Sequence, residues 1–86
     1  MPEISRFFGI VIRMYYDERH APHFHAIYGE HAALVAIETL TILAGSLPRR
    51  VRALVLEWTV DHRDELLADW HLARAHEPLR PVAPLE

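Results

Sequence analysis

The sequence predicts an α+β fold: an antiparallel β-meander of three to four strands, followed by one long C-terminal helix packed on one face. Two observations carry this. Residues 4–44 alternate β-branched and aromatic runs with turn signals. From Ser46 to about Ala75 the apolar residues recur at helical spacing instead.

Taken in order, Ile4 to Tyr16 reads as the first strand. Phe8, Ile10, Ile12, Met14 and Tyr16 form its more apolar side and are expected in the core; Phe7, Gly9, Val11, Arg13 and Tyr15 face the other way. Asp17 to Pro22 is a loop, because Pro22 fixes its own φ and restrains Ala21. His23 to Tyr28 is a second strand, with Phe24, Ala26 and Tyr28 on one side and His23, His25 and Ile27 on the other. Gly29-Glu30 makes a tight turn, since glycine accepts the positive φ of such hairpins. A third strand spans His31 to Ile37, with Ala33, Val35 and Ile37 toward the core, and a short fourth runs from Leu40 to Ala44, ending at Gly45.

Ser46-Leu47-Pro48 starts the helix: serine can cap free amides, and proline loses no helical hydrogen bond in the first turn. Val51, Leu54, Val55, Trp58, Leu66, Trp70 and Ala73 form its apolar stripe, and His62 falls within it as a core residue. Asp61 opens a second capping signal, a place for a bend. Unbroken, the helix would measure about 42–45 Å and overhang a sheet of seven-residue strands about 23 Å long. Pro78, Pro81 and Pro84 make residues 77–86 an extended tail behind a single domain of residues 1–76.

A net charge of −3 argues against a general nucleic-acid binder. The absence of cysteine excludes disulfides, thiolate metal sites and cysteine nucleophiles. No apolar run approaches the roughly 20 residues of a membrane span, and MPEISRFFGIVIRMYY lacks the marks of a secretory leader. A cytoplasmic protein without membrane contact or cofactor is expected. Arg49, Arg50 and Arg52 read as a solvated helix face.

One helix covers one side of the sheet and leaves the other open. That open side is expected to gather Arg13, Tyr15, His23, His25, Ile27 and Leu34, with Tyr28 nearby. HAPHFHAIYGEH, residues 20–31, places four histidines within twelve positions, of which His23 and His25 fall on that side. Three readings compete. In the first, His23 and His25 act as acid and base in a metal-independent ribonuclease, with Arg13 opposing phosphorane charge and Tyr15 stacking or donating a hydrogen bond. In the second, Tyr28, Ile27 and Leu34 belong to a contact surface for a partner or a second copy, because bare apolar surface is unusual on a monomer. In the third, His23 and His25 bind a metal with His20 from the loop; His-x-His on a strand permits this without requiring it, and no definite carboxylate ligand stands out. His31, His71 and His76 receive no role, and Trp58 and Trp70 are expected in the core.

The run RFFGIVIRMYYDERHAPHFHAIYGEHAALVAIETL, then GSLPRR, LVLEW and ELLADWHLA, resembles a family of small bacterial proteins described as domain of unknown function 4160. Pro22 to His25, Tyr28-Gly29-Glu30, Leu47-Pro48, Glu57-Trp58 and Trp70 carry the resemblance. Arg19-His20-Ala21 departs from the Asn-Pro-like turn expected before Pro22, which sets His20 apart. The resemblance implies a toxin–antitoxin module component, encoded beside a second small protein; it does not identify the activity, and RNA enters only through the first of the three readings above. It brings no catalytic residues with it.

Overall fold

The structure is a computed structural model and describes residues 2–18 and 21–86. Its α+β architecture is an antiparallel sheet covered on one face by two helices. The strands are β1 (Glu3–Phe7), β2 (Ile10–Arg13), β3 (His23–Tyr28), β4 (His31–Ala36) and β5 (Ile42–Ser46); the helices are α1 (Arg49–Asp61) and α2 (Arg63–Arg74). Strand order in the sheet follows the chain, so every connection is a hairpin. No helix among the described residues is long and apolar enough to cross a membrane.

Three details differ from the sequence expectation. The first strand is two strands. Phe8 (φ 50°) and Gly9 (φ 78°) form a two-residue turn that pairs Phe7 with Ile10. Two positive φ values in succession give the primed hairpin turn whose twist suits the strands. The turn reverses the facing before it, so Phe7 enters the core while Phe8 stays 61% exposed. Beyond it Ile10, Ile12 and Met14 are fully buried, as their alternation indicated.

The last strand begins later than expected. Leu40 takes a positive φ (59°) and its amide bonds the Ala36 carbonyl, so it belongs to the turn; Gly45 and Ser46 belong to β5. Ser46 therefore does not cap the helix, and Pro48 precedes α1 without a side-chain cap.

The long helix is broken at His62 (φ −123°, ψ 21°). The whole molecule extends only 33 Å along its longest axis. The break lets α2 turn back over the sheet instead of overhanging it. His62 itself lies against Trp58, ring centroids 5.5 Å apart, and bonds Glu65 through Nδ1 at 2.7 Å.

The core lies between helices and sheet. Trp58 is fully buried, packed on Phe7 and on the edge of Phe24. Val55, Leu66, Trp70 and Ala73 join it with Ile10, Ile12 and Val35. The chain after α2 packs back onto this core. The Val82 amide donates to the Ile4 carbonyl (2.7 Å), the Trp58 indole N–H donates to the Ala83 carbonyl (2.8 Å), and Val82 is buried.

The opposite face is left uncovered, and the register orders it in rows. Val11, Ile27, Ala32 and Ser46 form one; Arg13, His25, Leu34 and Ala44 form the next.

Candidate functional site

The sheet places chemistry at the end where the chain passes from β2 to β3. Tyr15 follows β2, Glu18 sits in the connecting loop, and His23 and His25 open β3. Residues two apart on a strand project to the same side, which brings the two imidazoles together at a centroid distance of 5.8 Å.

Their environments differ. His25 is half-buried, hydrogen-bonded through Nε2 to Glu18, with the Tyr15 ring edge-on at 4.4 Å. His23 is 3% exposed, its ring 5.0 Å from Trp70 of α2. At the strand's first residue it has turned from the open face into the seam between sheet and helix. His23 Nδ1 lies 2.8 Å from the Ala21 carbonyl oxygen. A carbonyl only accepts, so Nδ1 carries the proton. His23 Nε2 stands 3.5 Å from Glu18 Oε1 and has no hydrogen-bond partner among the described residues.

Glu18 is the residue that sequence reasoning missed. One of its oxygens faces both histidines. The hydrogen bond from His25 holds its carboxyl below the usual range, outweighing the opposite pull of partial burial. The only sequence signal was an acidic pair, Asp17-Glu18, entering the loop before a His-x-His strand. Asp17, by contrast, is almost fully exposed and points toward His76. An open pocket of about 810 Å³ adjoins the cluster, lined by Pro2, Tyr15, Tyr16, Asp17, Glu18 and His25.

The other expected site residues divide between the two faces. Arg13 pairs with His25 across β2 and β3, so both stand on the open face. Ile27 and Leu34 lie in its two rows, half-buried. Tyr28 does not join them: it lines a small cavity on the helix side with Phe8, Arg50, Val51 and Leu54. His20, the third ligand of the sequence-based metal reading, lies outside the described residues.

The family described as a domain of unknown function (DUF4160) matches residues 9–71. The chain belongs to the DUF4160 family. The matched segment holds Tyr15, Glu18, His23, His25 and both rows of the uncovered face, while β1 begins before it and the tail follows it. Neither the curated proteins nor the solved structures give a match to this DUF4160 chain.

Proposed function

We propose that this DUF4160 protein is the binding component of a two-protein, toxin–antitoxin-like module, and that the uncovered sheet face docks its partner. One observation supports this above the others. Val11, Ile27 and Leu34 are neighbours on a face with no helix over it, each only half-buried, with exposed Ala32 and Ala44 beside them. Apolar side chains contiguous across four strands are the kind of surface a partner desolvates. Small alanines at the β4–β5 side permit close approach, and Arg13 at the β2 side offers the fork geometry that interfaces favour. The partner chemistry this fits is an apolar patch with an acidic margin. The chain's own second copy is the other occupant.

The test is complex formation, read by light scattering, of the chain alone and with the small protein encoded beside it. Leu34→Arg and Ile27→Arg each place a charge where the contact is desolvated. Association should weaken about a hundredfold or more, about 2.7 kcal/mol, with the melting temperature kept within a few degrees. An assembly that survives both substitutions rules the face out.

A second reading, RNA cleavage without a metal, is favoured by the Glu18–His25 pair beside Arg13 and Tyr15 at the pocket. Burial leaves His23 no route to a substrate proton, so His25 carries this reading. Growth arrest on inducing the natural chain, relieved by His25→Ala, supports it; arrest that persists in His25→Ala removes it.

A further inference from the structure

We propose that Glu18, His23 and His25 form a binding site for a divalent first-row transition ion of the zinc class. The inference is independent of the docking face and rests on three features of the cluster.

The first is convergence. One ligand atom from each residue lies within 4.8 Å of the others. Ligands held about 2.0–2.2 Å from a tetrahedral ion sit about 3.3–3.6 Å apart. The separation of His23 Nε2 and Glu18 Oε1, 3.5 Å, matches that spacing.

The second is an electrostatic conflict that a cation resolves. A neutral His23, with its proton on Nδ1 toward Ala21, presents a lone pair at Nε2. That lone pair faces a carboxylate oxygen, and Nε2 is buried with no partner among the described residues. Two electron-rich atoms aimed at each other in a buried setting are unfavourable unless a positive centre lies between them.

The third is the support behind the ligands. A metal-bound histidine almost always gives its other N–H to a carbonyl or carboxylate, which fixes tautomer and ring orientation. His23 already does this through Ala21. Trp70 backs its ring, and two of the three ligands stand on one strand; binding requires the His25–Glu18 hydrogen bond to open and the His25 Nε2 proton to leave to solvent. Two imidazoles and one carboxylate favour zinc, nickel, copper or iron over calcium or magnesium, which prefer all-oxygen sets. Glu18 and His25 line the open pocket, so a bound ion keeps its remaining positions on that side for water or an anionic ligand.

The experiment uses the full chain, untagged and stripped of metal, titrated with zinc and separately with cobalt. We expect one equivalent per chain, the visible bands of a nitrogen- and oxygen-ligated cobalt ion, and a melting temperature about 10 °C or more higher at a hundredfold excess over Kd. Glu18→Gln and His25→Gln, both at partly exposed positions, should each weaken binding at least about tenfold while the metal-free chains melt near the natural value. His23→Ala is the less clean variant, because it also opens a hole beneath Trp70. No binding of zinc or cobalt by the natural chain overturns the proposal. So does undiminished binding in both glutamine variants, which would move the ion to other histidines. A doubly protonated His23 ring seen by nitrogen NMR at pH 7 in metal-saturated protein also overturns it, since a proton would then occupy the gap.

Discussion

Replacing Gly45 by alanine isolates how tightly β5 lies on β4. Gly45 has φ +76°, and Gly29 in the β3–β4 turn has φ +57°. Any L residue in this region costs about 1–2 kcal/mol, so the backbone contribution is similar at both sites. Their surroundings are not. A Cβ on Gly29 meets nothing within 4 Å, whereas a Cβ on Gly45 would fall onto the Ala32 carbonyl oxygen and reach 3.0 Å from the Ala33 Cα. Backbone atoms in a paired strand cannot swing aside as a flexible side chain can, so the strand must shift. Overpacking of this kind adds about 1–3 kcal/mol. Mid-range values give about 1.5 kcal/mol for Gly29→Ala and about 3.5 kcal/mol for Gly45→Ala. At roughly 6 °C per kcal/mol for a domain this small, the melting temperature should fall about 9 °C and about 20 °C. Thermal unfolding followed by circular dichroism measures both, and urea unfolding at 25 °C checks the free energies. Equal losses in the two variants would refute the steric argument, leaving only the shared backbone cost.

Asp69 provides a pH test. It is 1% exposed; its Oδ1 accepts the Arg80 amide while its Oδ2 has no partner among the described residues. Burial pushes its carboxyl up, and the Arg80 amide pulls against that only in part. The folded chain thus holds this proton more tightly than the unfolded chain, and stability falls as pH rises from the ordinary aspartate value near 3.9 through the raised one. Asp69→Asn, which cannot titrate, should lose that slope in urea unfolding between pH 4 and pH 7; a constant difference between the two chains across that range would contradict it. Trp58→Phe removes the indole donor to Ala83 and leaves a void beside Phe7 and Phe24. The expected cost is roughly 2 kcal/mol, with faster hydrogen exchange at the Val82 amide than the global loss explains; unchanged relative protection there would show that the indole does not hold the tail.

Much of the sheet was legible because burial on one face writes a period of two. Ile10, Ile12 and Met14, then Phe24 and Ala26, then Ala33 and Val35, alternate cleanly and are buried as read. The Phe8-Gly9 turn was not legible by the same rule. Phe7 and Phe8 are both aromatic, so apolar character does not choose between the two facings; the choice belongs to the backbone at Gly9. The break at His62 was half visible as a capping signal at Asp61, but its necessity comes from the size of the sheet, a tertiary quantity. The site was legible in its strand and hidden in its loop. His23 and His25 announce themselves by spacing, whereas Glu18 reaches them only through the path of a turn whose shape the sequence does not state. The burial of His23 was equally hidden, because it follows from where α2 lays Trp70 after the break.

The bond between Val82 and Ile4 has a kinetic meaning. Each strand of the meander pairs with its sequence neighbour, so sheet assembly closes only short loops and asks little of chain entropy. The tail contact joins Val82 to Ile4, a far longer closure than any hairpin of the sheet requires. In a chain synthesised from its N-terminus, the outer edge of β1 stays open until Val82 arrives. The first strand of the sheet is thus completed after the others, and during that interval its outer edge is open to pairing with a neighbouring chain.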